Sequence, residues 1–272
     1  MASMDWSAQG GSAPASYEGF LVPAMFAPFA ERLVGLVGVE SGSLVLDVAC
    51  GTDVVSRAAA RVAGTSGSVT GVDLGEPTLG IARSLPTEQG AAPITYVQSD
   101  AASLPLADDA FDFALCQQGL QFFPDRTRAL SEMHRALKRD ARAAVATWKD
   151  IEHSPFVAVA DSLATHLGRD AGEMMRSPFQ LSDADELGRL VSAAGFSDVS
   201  VTEETIECTW ASHVDFAPLA IAAGPIAQLF SSAPSDAQRA VAEEVAARLA
   251  PYATADGRLR MPITTNVAVA HT

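Results

Sequence analysis

The stretch SLVLDVACGTDVVSR, residues 43–57, constrains this chain more than any other. Leu44, Val45, Leu46 and Val48 surround one carboxylate, Asp47, in the pattern of a buried strand. A turn of small residues follows (Ala49, Cys50, Gly51, Thr52), and then a helix-like run from Val54 to Val62. Strand, tight turn and helix in that order open an α/β nucleotide-binding unit. Small residues suit the turn because a ligand must approach the backbone there. The helix beyond it aims free N–H groups and a positive dipole end at the same spot, which suits an anionic group.

The remaining strands repeat the theme. A second, SVTGVDL (68–74), ends in Asp73, about 20 residues beyond the turn, where a carboxylate can accept both hydroxyls of a ribose. A third, ITYVQSD (94–100), ends in Asp100 followed by Ala101, a side chain and a backbone N–H that together suit an adenine edge. A fourth, Phe111 to Cys116, runs into Gln117, Gln118 and Gly119. Polar groups thus gather at the carboxyl ends of successive strands, where open α/β sheets bind ligands. A helix is expected from Asp125 to Leu137, a fifth strand from Ala143 to Trp148, a helix from Ser182 to Ala194 opened by Ser-x-x-Asp, a sixth strand from Val199 to Trp210 and a closing strand from Pro262 to Ala270.

Three segments read as helical cover: 15–38, 154–180 and 213–250. In the first, Pro23 and Pro28 are expected to interrupt the helix, which ends near Gly38. Tyr17, Phe20 and Phe26 there either pack on the sheet or help cover the ligand, Tyr17 being the one placed at the cofactor. The last segment is expected to hold two helices, broken at Pro225 and Pro234. Met174, Met175, Phe179, Phe216, Leu219, Ile221 and Phe230 suit an apolar or aromatic acceptor, although most such residues simply pack a cap on its sheet. Residues 1–14 read as a flexible leader, and 15–272 as one domain of a size that buries a substantial core.

Composition sets the bounds. Thirty-three acidic against 18 basic side chains give a net charge of −15, which repels nucleic acid backbones. No uninterrupted apolar run of about 18 residues is present, so no membrane span is expected. Cys50, Cys116 and Cys208 are odd in number and far apart, which points to a reducing, cytoplasmic setting rather than to disulfides or a metal site.

The set VLDVACGT, GVDL, SDAASLPLADDAFD, CQQGLQFF and LSEMHRALK resembles the class I S-adenosylmethionine-dependent methyltransferases. The likeness is to their bacterial small-molecule branch, similar to the ubiquinone and menaquinone methyltransferases, and is close over residues 43–148. The resemblance implies a Rossmann-like, mostly parallel seven-stranded sheet with its last strand antiparallel, flanked by helices and capped by helical insertions. It also implies S-adenosylmethionine as cofactor, S-adenosylhomocysteine as product, and a small-molecule substrate. By position, Asp47, Ala49 and Gly51 would line the methionine part, Asp73 would hold the ribose, and Leu74 would lie against the adenine. Asp100 would take the adenine amino group and Ala101 its ring nitrogen, while Gln117 and Gln118 would sit beside the methionyl group and the substrate.

The departures matter as much. The family turn reads GTG where this chain has Gly51-Thr52-Asp53. Asp tolerates a positive φ better than most residues and suits a helix N-cap, but beside the cofactor carboxylate it would be repulsive. Thr78 stands where an apolar residue usually underlies the adenine, and Arg139-Asp140-Ala141 replaces a Pro-Gly-Gly turn. Asp53 therefore supports two other readings, a fold relative that catalyses cyclisation rather than methylation, or a degenerate binding protein. An NAD site fits less well, because the G-x-G-x-x-G positions hold Ala49, Gly51 and Val54. No nucleophile triad or metal-ligand spacing stands out; His153, after the fifth strand, is the candidate base, and His134, His166, His213 and His271 read as structural or peripheral.

Overall fold

In the computed structural model residues 13–272 are described. Seven strands form one sheet in the order β3-β2-β1-β4-β5-β7-β6: β1 (Leu44–Val48), β2 (Ser68–Asp73), β3 (Ile94–Gln98), β4 (Phe111–Gln117), β5 (Leu137–Trp148), β6 (Ser197–Trp210) and β7 (Leu259–His271). The first five run parallel, and β7 runs antiparallel between β5 and β6.

Alternation along β1 builds two cores. Val45 faces one core, with Phe29, Leu33, Val55 and Trp148; Leu46 and Val48 face the other, with Leu130, Met133 and Leu187. A central parallel strand is covered on both faces, which is why its sequence reads as a nearly unbroken apolar run. At the opposite extreme, edge strand β6 carries Glu203 and Glu207 outward, charges that discourage pairing with another chain.

Several boundaries differ from the sequence expectation. The N-terminal helix is continuous from Ala13 to Val37 despite Pro23 and Pro28. Between Tyr17 and Phe26 it is wound as a π-helix, in which Ala27 N–H reaches back five residues to the Val22 carbonyl. Pro28 falls at the start of the α-helical segment Ala27–Val37, where a missing N–H costs little, and Gly38 closes that segment with φ 79°. Ala13 and Pro14 belong to this helix rather than to a flexible leader; the rest of the expected leader lies outside the described residues. The helix is long and apolar enough to cross a membrane by length and composition, unlike the expectation from the sequence. Here one face is buried in the core through Met25, Phe29, Leu33 and Val37, while Arg32 pairs with Glu204 and Glu31 with Arg61 on the other.

The fifth strand starts earlier than expected, at Leu137, because Arg139-Asp140-Ala141 forms a bulge in it rather than a free turn. Asp140 takes φ 62° there. Asp183, not Ser182, caps the helix Ala184–Ala193 through Glu186 N–H. Residues 213–250 hold three helices, Phe216–Ala222, Ala227–Ser231 and Ser235–Leu249.

Candidate cofactor and acceptor site

Register brings the polar strand tips together. Val48 on β1 pairs with Val72 on β2, so the turn after β1 and Asp73 leave the sheet side by side. Three residues of this turn have positive φ: Ala49 at 58°, Gly51 at 56° and Asp53 at 77°. Asp73 holds the turn in place, accepting from Gly51 N–H at 2.9 Å and from Gly75 N–H at 2.8 Å. Burial pushes its carboxyl up, and those backbone N–H groups pull it back down. Each of its oxygens retains a lone pair for a hydroxyl.

A cavity of about 600 Å³ opens over these tips, within the range of small-molecule sites. Ala49, Gly51, Asp73, Leu74, Asp100 and Ala101 all line it. Leu74 is 47% exposed, an apolar side chain on a cavity wall that a flat ring would cover. Asp100 accepts from Ala102 N–H with Oδ1 at 2.8 Å, leaving Oδ2 for a ligand donor. Thr78, noted above as a departure, lines the same end. The wall of β4 comes very close: a Cβ on Gly119 would stand 2.6 Å from Ala49 Cβ, so only glycine lets the two tips approach.

Beyond β4 the same cavity turns apolar. Trp148, Phe156, Phe179 and Met175 line it with Phe26 and Tyr17 of the N-terminal helix. Burial and nearby carboxylates raise the Tyr17 phenol well above its ordinary value, so it stays protonated. Gln117 and Gln118 line the cavity, and so does Gln121 on the turn Leu120–Phe122. Gln121 was not singled out from the sequence, although it is the third glutamine of CQQGLQFF and the only polar residue in its last four positions. In the sequence Trp148 stands out only as a strand end. Phe20, by contrast, packs on Phe216, and Phe216, Ile221 and Phe230 are buried in the cap; Leu219 is exposed.

Three expected roles change. Asp47 is 1% exposed and does not reach the cavity wall: it points to the opening turn of the helix Val54–Ala63, where Ser56 Oγ donates to its Oδ2 at 2.6 Å. Burial pushes its carboxyl up to about 7. His153 is not on the wall either. Its side chain is 85% exposed, and its Nδ1 lies 2.9 Å from Asp150, in a loop whose neighbours Trp148 and Phe156 take the inward positions. It has no access to an acceptor and is not a candidate base.

Asp53 is the third. Its backbone does take the left-handed conformation that the turn requires, yet its carboxylate makes no cap to the helix N-terminus and does not line the cavity. It turns behind the turn, accepting from Tyr96 Oη at 2.5 Å and pairing with Arg57 at 3.0 Å. Arg57 also pairs with Glu18 of the N-terminal helix at 2.7 Å, and Thr52 Oγ1 donates to the same Glu18. Tyr96 on β3, Arg57 and Glu18 thus give the extra carboxylate a place away from the ligand. Burial pushes its carboxyl up to about 6 even so, with the Tyr96 hydrogen bond and Arg57 opposing the rise.

Residues 46–145 match a family model described as a methyltransferase domain. The demethylmenaquinone methyltransferase of Staphylococcus carnosus is 31% identical over 186 residues, spanning 64% of this chain and 76% of its own. Among solved structures, phosphoethanolamine N-methyltransferase 2 of Haemonchus contortus, in complex with S-adenosyl-L-methionine, superposes with a TM-score of 0.61 at 15% identity, over 99% of this chain and 59% of that one. The [4+2]-cyclase SpnF superposes with a TM-score of 0.52 at 18% identity, over 90% and 80%. With its sheet order, its strand-tip carboxylates and these relatives, the chain belongs to the class I S-adenosylmethionine-dependent methyltransferases.

Proposed function

We propose that this chain binds S-adenosylmethionine along the carboxyl ends of β1–β4 and directs its methyl group to a small, fairly apolar acceptor under the cap, leaving S-adenosylhomocysteine. The observation that carries this reading is the continuity of one cavity. It joins Asp73, Leu74 and Asp100 at one end to Trp148, Phe156 and Phe179 at the other.

The residues present fit the cofactor. Asp73, oriented by two backbone N–H groups, suits the ribose hydroxyls; Leu74 and Thr78 offer a face for adenine, and Asp100 with Ala101 N–H offers its edge. Ala49 and Gly51 leave backbone accessible for the methionyl end, near the N-terminus of the helix Val54–Ala63. When bound, the cofactor supplies an electrophilic methyl on a sulfonium. The protein's share is to align the acceptor and exclude water. Among the described residues no His, Lys or Arg lines the cavity, and its carboxylates sit at the cofactor end. The acceptor in this reading therefore attacks without a charged base from the protein. Three buried, free cysteines accord with a reducing, cytoplasmic setting.

Asp53 is the one feature that favours a second reading, a relative that cyclises or merely binds. Its seat against Tyr96 and Arg57 leaves the cavity side of the turn unobstructed and supports methylation instead. Incubation with S-adenosylmethionine and a panel of apolar aromatic acceptors, read by mass spectrometry, tests the choice. Gain of one methyl with stoichiometric S-adenosylhomocysteine is expected; an acceptor rearranged without loss of methyl would establish the second reading.

A further inference from the structure

The acceptor end of the cavity is aromatic and apolar apart from the Tyr17 phenol, the Trp148 indole N–H and one strip of amides. Gln117, Gln118 and Gln121 line the cavity and are each more than nine-tenths buried, and each carries amide atoms, out of reach of solvent, that no protein group satisfies. The hydrogen bonds fix which atoms these are. Thr265 Oγ1 donates to the Thr147 carbonyl at 2.7 Å, so it must accept from Gln118 Nε2 at 2.9 Å, and Gln118 Oε1 is the unpartnered end. Gln117 Nε2 donates to the Phe26 carbonyl at 3.0 Å, which likewise leaves Oε1. Gln121 differs: both Nε2 and Oε1 lack a partner.

Position separates Gln121 from the cofactor. Its turn packs on β5 and on the turn Ser177–Phe179 of the cap, on the far side of β4 from the tips of β2 and β3. Arg126 Nη2 donates to the Gln121 carbonyl at 3.3 Å, which holds the backbone of that turn while leaving the side-chain amide uncommitted. Gln118, one φ-positive residue after β4, supplies a second acceptor nearby in sequence. A buried amide with neither end paired is costly unless a ligand completes it.

We infer that Gln121 is the residue that reads the acceptor, and that it selects a flat, uncharged molecule whose head group both donates and accepts a hydrogen bond. This rests on the methyltransferase reading for the reaction but not for the binding. A carboxylate or phosphate head would find no cation on the wall. An ammonium head would find only neutral amides, the Tyr17 phenol and the aromatic faces. Gln121 is thus a specificity-determining residue whose amide meets the head group once its side chain turns into the cavity, while Trp148 and Phe179 hold the apolar body.

The test uses three probes of one shape: 2-naphthamide, which donates and accepts; 2-naphthoate, which is anionic; and 2-methylnaphthalene, which is apolar. Ligand-observed NMR gives their affinities for the full chain, with and without S-adenosylhomocysteine, whose own affinity is measured by calorimetry. The wild type should bind 2-naphthamide roughly tenfold more tightly than either other probe, as one satisfied amide implies. Gln121→Leu should reduce that preference to about twofold or less, and Gln121→Asn should restore part of it, with S-adenosylhomocysteine affinity unchanged in both. Equal affinities in the wild type, a preference for 2-naphthoate, no binding of any probe, or a preference that survives Gln121→Leu would each overturn the inference. A Gln121-dependent preference without S-adenosylhomocysteine binding would uphold it while overturning the methyltransferase reading.

Discussion

Replacing Asp53 by asparagine isolates the electrostatic cost of the unusual turn. The backbone there sits at φ 77°, which asparagine tolerates as well as aspartate does. Its Oδ1 can still accept from Tyr96 Oη; its Nδ2 replaces the oxygen that faces Arg57, and Arg57 keeps Glu18 as its partner. Burial, net of the Tyr96 hydrogen bond and Arg57, raises the carboxyl from 3.8 to about 6 in the folded chain. By linkage that displacement corresponds to about 3 kcal/mol. The sign follows from proton binding. Between pH 4 and 6 the folded chain holds a proton that the unfolded chain has released, so the wild type loses stability as pH rises through this window and then levels off. Asparagine has no such loss. In urea unfolding at fixed ionic strength, Asp53→Asn should therefore gain on the wild type by about 2–3 kcal/mol between pH 4 and pH 8, most of it before pH 7. A difference that does not change with pH, or one that favours the wild type more at pH 8, would refute the reasoning. Either result would mean that the carboxylate is solvated or fully neutralised by Arg57.

Other substitutions probe the rest of the site. Asp73→Asn replaces an acceptor of two backbone N–H groups with a side chain that must turn a donor toward one of them; cofactor affinity by calorimetry should fall by about 10–100-fold. Gly119→Ala forces a methyl to within 2.6 Å of Ala49 Cβ, and should cost about 1–3 kcal/mol of stability in denaturant and weaken the cofactor in step. His153→Ala should leave turnover within about twofold, because the ring lies in solvent beside Asp150. A larger loss would restore it as a base.

What was legible in the sequence was local or periodic. Strands β1 and β4 announce themselves as apolar runs because helices cover both their faces, and the tips Asp73, Asp100 and Gln118 follow from counting to the end of each run. That Asp53 could tolerate a left-handed conformation was legible too, but whether the turn required it was not, and the N-cap that the sequence also allowed is not formed. The direction of its side chain was not, because that depends on Tyr96 from β3 and Glu18 from the N-terminal helix, which only the fold brings near. His153 follows the right strand, but a loop of a few residues turns it outward, and spacing along a chain cannot report such a rotation. The prolines of the N-terminal helix misled for a related reason: the rule that proline breaks a helix assumes an α ladder, and the π-wound segment Tyr17–Phe26 changes which donors are needed. Gln121 was hidden by its setting, a polar residue within an apolar run whose burial depends on the cap.

In the proposed function the altered turn still holds the cofactor. Calorimetric titration of S-adenosylmethionine into the wild-type chain and into Asp53→Gly tests it most directly. One-to-one binding in the micromolar range is expected for the wild type, with Asp53→Gly within about fivefold, because the Asp53 carboxylate faces Tyr96 and Arg57 rather than the cavity. Binding that appears only after Asp53→Gly, or no binding to either chain, would contradict it.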